Sequence, residues 1–483
     1  MKHRSSIAAV LMLLAVVGPR VHAAINIPLT IQEAVYPGSV AGMPRTAEPV
    51  SVGIPLPDNG ATGATDVSQL TLTGANAGQF RVLGRWPSGR IKWVLVDTLA
   101  SLAAGGTATG VALTTGGNGN FGGSDLAIDN GAAIVVTTGT ATFTIRKANF
   151  NGFHQVVVGG TTVVAAGASN GLVITGPAPG NTTCGTCTTV YSSVNDASST
   201  AEIEENGPVR TVIKATGTHK DASGNPYLKF TVRMHFYKSR SHVKAVTTLQ
   251  NADYGGSNTF ASAYKGHQGY EWRVSPTLTG TPTYQIAKHG GAVESGTLAA
   301  GTDDVHLYQA KSLSMEDASW CAFGCVPYTA DAGYTVVKNG NNLATGTTSQ
   351  YPAGWADIRG AANGAGLSIG VYQLAAYWPK SLEFNDGGTD VRIGIWPRQN
   401  SQPYYQAWPQ WSTHDLYFNF HSAALSSPSS EFLKVQHPLL ARAALSHYNT
   451  TAVFPFPIVD PTVEDAFFTS THATASPTNT FPF

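Results

Sequence analysis

Polar and apolar residues alternate along much of this chain with a period of two, the spacing of a strand with one buried face. The clearest run covers residues 228–237, where Leu228, Phe230, Val232, Met234 and Phe236 fall on one side and Lys229, Thr231, Arg233, His235 and Tyr237 on the other. Comparable runs at 208–216 and 242–250 flank it across short turns, which predicts an antiparallel meander with one wet face. Strand signals recur at 141–147, 334–337, 367–372, 391–396 and 416–420. Closer to the N-terminus, short apolar runs at 50–54, 69–72, 80–83 and 91–96 are separated by turns such as Pro87-Ser88-Gly89.

These patterns predict an all-β protein: a small unit over 24–104, a large antiparallel β-sandwich over 124–460, and a tail over 461–483 rich in Thr, Ser and Pro. The intervening stretch 105–123 is rich in Gly and Thr and poor in bulky apolar residues, which predicts a linker. A single helix is expected at 438–448, with Pro438 in its first turn and Leu439, Leu440, Ala443 and Ala444 as its apolar stripe.

The 483 residues include 52 Gly and 27 Pro, in keeping with turn-rich β structure, and only 12% are charged. Lys plus Arg and Asp plus Glu both number 29, so no global field draws the chain onto nucleic acid. Residues 1–23 have the form of a secretory signal peptide: Lys2, His3 and Arg4, an apolar run over 7–17, and Val21-His22-Ala23 before the cleavage point. The run is too short to cross a bilayer, which takes about 20 residues. A secreted or periplasmic protein without a membrane span is therefore expected.

The four cysteines fit that compartment. They stand as Cys184-x-x-Cys187 and Cys321-x-x-x-Cys325, spacings that suggest two short-loop disulfides, with a four-cysteine zinc site as the alternative. No cofactor is predicted, and no motif indicates a calcium requirement.

Two stretches carry a family likeness: 45–55, reading RTAEPVSVGIP, and 78–97, which contains Arg85-Trp86-Pro87-Ser88-Gly89-Arg90-Ile91-Lys92-Trp93. They resemble the N-terminal RIFT barrel of the exo-rhamnogalacturonan lyase and YetA-like family. Later segments at 205–210, 377–380, 391–397, 413–416 and 437–442 resemble the large β-sandwich that follows the barrel there. The resemblance implies a RIFT-type barrel over 24–104, a central β-sandwich after it, and a carbohydrate-active protein that handles uronate-containing polysaccharide. Lyases of that family carry a further helical toroid after the sandwich, into which this sequence does not extend. The likeness therefore implies the fold more directly than β-elimination activity, and a noncatalytic glycan-binding or cell-surface interaction protein is the competing class.

Eliminating across a uronate requires a cation to neutralise the carboxylate, a base for the C5 proton and an acid for the leaving oxygen. Tyr377, Trp378, Lys380, Arg392, Trp396 and His414 offer all these types within a short span, with aromatic faces for sugar rings, and are the candidate substrate-binding residues. Core packing and solvated strand charges are the alternative account of the same residues. Two other surfaces compete: Arg85, Trp86, Lys92 and Trp93 in the barrel, and the cations Arg210, Lys214, Lys229, Arg233 and Lys244 with His235 on the meander, where Glu202, Glu204 and Glu205 stand ready to neutralise them. No catalytic residue is assigned. Neither a phosphate-binding Gly loop, nor His-Glu-x-x-His, nor Gly-x-Ser-x-Gly occurs.

Overall fold

The computed structural model describes residues 25–33, 42–59, 63–168, 171–253, 264–310, 333–347, 350–377, 379–400 and 403–456. The expected signal peptide and tail, Cys321, Cys325 and Trp378 lie outside them. The protein is all-β, as its alternation predicts.

The N-terminal unit is a small barrel of two sheets. One contains Arg45–Pro55, Ile91–Leu102 and Gly78–Arg85; the other runs Leu70–Thr73, Thr107–Thr115, Asn26–Glu33 and Leu439–Ala443. Alternating residues such as Ile27, Leu29, Ile31, Val94, Val96 and Leu113 close a single apolar core between them.

Two local expectations change here. The stretch predicted as a linker contains the strand Thr107–Thr115, because Val111 and Leu113 suffice as core residues once hydrogen-bonded partners stand on both sides. The predicted helix over 438–448 is replaced by the strand Leu439–Ala443 and the short helix Leu445–Thr450. Leu439, Ala441 and Ala443 satisfy a two-residue period as well as a helical one, and the open edge of Asn26–Glu33 supplies partners that a helix would forgo. A helix does form just upstream, at Pro428–Gln436, with Ser427 as N-cap and Pro428 opening its first turn. Its Phe432 lies against Gly370, where an added Cβ would come within 2.1 Å of the ring.

The sandwich has two layers. One runs Thr200–Glu205, Arg210–Lys220, Pro226–Tyr237, His242–Gln250, Trp411–His421, Gly366–Val371, Trp355–Gly360, Pro282–Ala287 and Val293–Thr297. The other runs Thr189–Ser192, Gly171–Gly176, Gly269–Val274, Asp390–Trp396, Lys380–Asn385, Val305–Gln309, Tyr334–Lys338 and Asn341–Gly346. The meander forms in register as expected, and Leu228, Phe230, Val232, Met234 and Phe236 all enter the core between the layers. A separate five-stranded sheet over Ala127–Val164 sends Phe143, Ile145 and Val156 into the same core.

The barrel sits against the outer face of the first layer. Arg210 Nε donates to Asp97 Oδ1 at 3.0 Å and its Nη2 to Glu205 Oε2, while Gln79 Oε1 accepts from the backbone N–H groups of Val209 and Arg210. Arg210, Asp97 and Gln79 are all buried, so barrel and sandwich are joined by a desolvated polar contact.

Candidate functional site

Lys380 opens the strand Lys380–Asn385 and shares the parity of Leu382 and Phe384, so its side chain runs inward between the layers. It is fully buried, donates to the neighbouring Pro379 carbonyl at 3.0 Å, and holds its ammonium 5.1 Å from the centre of the Trp396 ring. No carboxylate pairs with it among the described residues. Burial alone brings its pKa from 10.5 down to about 7.

His414 is on the inward face of Trp411–His421, the face of Leu416, Phe418 and Phe420. Its ring stands perpendicular to Trp396 at 5.7 Å, and Tyr377 meets it edge-on at 6.2 Å. Both ring nitrogens are buried without a hydrogen-bond partner among the described residues, as is Trp396 Nε1. Burial first, and then the charge of Lys380, lower the His414 pKa to about 3, so the imidazole is neutral. Tyr377 is 48% exposed and forms the solvent side of the group.

Lys380, Trp396, His414 and Tyr377 thus come together as their residue types suggested, whereas Arg392 stands apart. Simple alternation places Trp396 on the face of Arg392, but the pairing between Gly269–Val274 and Asp390–Trp396 shifts register there, matching Glu271 with Gly394 and Tyr270 with Trp396. That bulge turns Trp396 inward and leaves Arg392 on the outer face, bound to Asp390 and 3.8 Å from Glu271.

Sequence reasoning missed two neighbours. His267 and Tyr404 pack at 5.5 Å, and Tyr404 lies 5.0 Å from Trp396. Their strands, Tyr264–His267 and Tyr404–Ala407, are too short to show a period, and only their pairing reveals the contact. Also missed was a buried charge network on the outer face of the second layer. Arg398 Nε contacts Glu271 at 2.6 Å and its Nη2 contacts Glu383 at 3.4 Å; Arg273 holds Glu271, and Ser381 and Gln399 donate to Glu383. Burial raises the Glu271 pKa, with Glu383 adding to it; burial pushes Glu383 up too, but Arg398 and its hydrogen bonds hold it below the ordinary value. The acid-rich stretch over 383–390 is visible in sequence, but Glu271 and its arginines give no such signal.

The competing surfaces are occupied by their own contacts. Arg85 donates to the Thr65 and Gly89 carbonyls, Trp86 Nε1 donates to Leu56 O, and Lys92 lies 4.6 Å over the Trp86 ring. On the meander, Lys214 pairs with Glu202, Arg233 with Glu204, Lys244 with Asp415, and Arg210 with Asp97 and Glu205. Cys184 and Cys187 form a disulfide. No cluster of three or more His, Cys, Asp or Glu among the described residues stands ready to hold a metal, and none of their helices is long and apolar enough to cross a membrane.

Part of the sandwich is similar in sequence to a rhamnogalacturonan lyase-like β domain. In particular, residues 127–260 match the PcRGLX-like protein central beta sandwich domain, bearing out the resemblance over that span. Among curated proteins none matches the sequence. Similar solved structures include an alpha-mannosidase from Enterococcus faecalis V583, at 13% identity and a TM-score of 0.47, over 87% of this chain and 46% of that one. A glycosyl hydrolase family 38 protein from Enterococcus faecalis follows at 12% identity and 0.44, over 86% and 47%. The GH36 alpha-galactosidase AgaA from Geobacillus stearothermophilus aligns at 8% identity and 0.32, over 62% and 41%. The chain spans about half the length of the first two.

Proposed function

We propose that this is an exported carbohydrate-active protein that binds uronate-containing polysaccharide at the Lys380 end of the sandwich. The observation that carries the reading is a fully buried lysine that has, among the described residues, no counter-charge, beside a histidine whose two ring nitrogens have no partner there. Such groups cost stability unless a ligand completes them, and perturbed, desolvated groups of this kind concentrate at functional sites. A uronate carboxylate supplies the charge that Lys380 lacks, sugar hydroxyls suit His414 and Trp396 Nε1, and Tyr377 offers a face to the ring. Lys380 as neutraliser, neutral His414 as base and the Tyr377 phenol as acid are also the types that β-elimination requires, so lyase turnover is the finer form of the same reading.

Calorimetric titration with rhamnogalacturonan and polygalacturonate oligosaccharides tests it. Lys380→Met is expected to weaken binding by roughly 10- to 150-fold, the loss of one charge-assisted hydrogen bond. Equal binding by wild type and variant refutes the site. Ultraviolet absorbance of an unsaturated product, present in wild type and absent in His414→Gln, marks turnover; its absence with intact binding leaves a noncatalytic glycan-binding protein.

A further inference from the structure

The outer face of the first layer carries a second surface, remote in character from the inward Lys380 group. Where the barrel meets it, this face forms the floor of a cleft of about 420 Å³, walled by Glu48–Ser51 of the barrel and by residues 434–440. Tyr237, Tyr372 and Tyr417 line the cleft, and in its floor Lys244 Nζ meets Asp415 Oδ2 at 2.5 Å, both side chains retaining about 30% exposure. The volume is in the range of small-ligand pockets.

The surface continues beyond the cleft. Because strand residues two apart share a face, Tyr417, Asp415, Thr413 and Trp411 form one row, about 20 Å long at 3.4 Å per residue. Thr413 and Thr248 bond through their hydroxyls at 2.9 Å on the neighbouring strand, and Trp411 closes the row at 64% exposure. Aromatic groups therefore stand at both ends, with hydroxyls and one donor–acceptor pair between them. Charge along this face is largely balanced: Lys244, Arg233 and Lys214 are each paired with a carboxylate, while Lys229 has none among the described residues.

We infer that this row, from the tyrosine cleft to Trp411, is a binding track for a neutral linear glycan. The exposed indole of Trp411 and the half-buried phenols of the cleft suit the C–H faces of sugars, whereas Lys244 and Asp415 together donate to and accept from hydroxyls without selecting an anion. An acidic chain would find the track's cations already neutralised.

Calorimetry with galactan, arabinan and mannan oligosaccharides, and with polygalacturonate oligosaccharides as the acidic arm, tests this on the full chain. At least one neutral oligosaccharide is expected to bind, and Trp411→Ala, at an exposed position, is expected to weaken that binding about fivefold or more. Asp415→Asn serves as a second variant and is expected to weaken it as well. Lys380→Met should leave neutral binding unchanged, which separates this track from the inward site. The inference is overturned if no neutral oligosaccharide binds, if neutral binding is the same in both track variants as in wild type, or if Trp411→Ala affects only the acidic arm.

Discussion

Lys380→Met should make the protein more stable while removing its proposed ligand site. Methionine retains an unbranched chain of similar length in the same apolar surroundings and drops the charge. With the lysine pKa at about 7 in the folded state against 10.5 when solvated, the difference corresponds to roughly 4–5 kcal/mol at full effect. The pH window follows from that direction. Below about pH 7 the lysine is protonated in both states and the folded protein bears the whole cost of the buried charge. Between about pH 7 and 10.5 the unfolded chain holds a proton that the folded one has released, so wild-type stability rises with pH. Above that range both states are neutral and the cost is gone. Urea midpoints for wild type and variant, taken at several pH values from about 6 to 10.5, should show the variant ahead by several kcal/mol at the acid end and the gap closing at the alkaline end. A variant that is less stable at neutral pH, or a gap that does not change with pH, would refute the assignment of Lys380 as an uncompensated buried cation.

Two further outcomes follow from buried polar groups. Arg210→Ala should destabilise the chain by about 3 kcal/mol, since it leaves the buried Asp97 without its cation and Glu205 with Arg81 as its remaining one at the barrel–sandwich contact; differential scanning calorimetry measures this, and an unchanged melting temperature contradicts it. His219 and His267 are buried with pKa values lowered by burial to about 4 and about 3, so below about pH 6.5 the unfolded chain takes up protons that the folded one refuses. These two rings alone should lower stability on acidification by about 2.7 kcal/mol per pH unit down to about pH 4, with His414 adding about half as much again, and a flat denaturation midpoint across that range would count against their burial as neutral rings.

The meander was fully legible because its apolar residues are large, strictly alternate and belong to strands whose neighbours in sequence are also neighbours in the sheet. The association of Tyr377, Lys380, Trp396 and His414 was legible as a set of residue types but not as a direction. Alternation alone cannot reveal the bulge that turns Trp396 inward and away from Arg392. Glu271 and Arg398 are brought together by tertiary pairing, and no local pattern announces them. The Thr107–Thr115 and Leu439–Ala443 strands were misjudged for a common reason. Each has few apolar residues, and each is held by long-range backbone partners that a window of local sequence does not contain.

The pairing of Leu439–Ala443 with Asn26–Glu33 also sets an order of assembly during synthesis. The barrel comes first from the ribosome, yet its sheet cannot be completed until the segment near residue 440 arrives, after the whole sandwich. Arg45, buried in the barrel, likewise awaits the carbonyls of Lys434 and His437 that accept its hydrogen bonds. Until then Asn26–Glu33 is an open edge with Ile27, Leu29 and Ile31 along its apolar side, a template for pairing with other chains. Fragments cut anywhere before Leu439 should therefore aggregate through their N-terminal strand rather than through the newly made end.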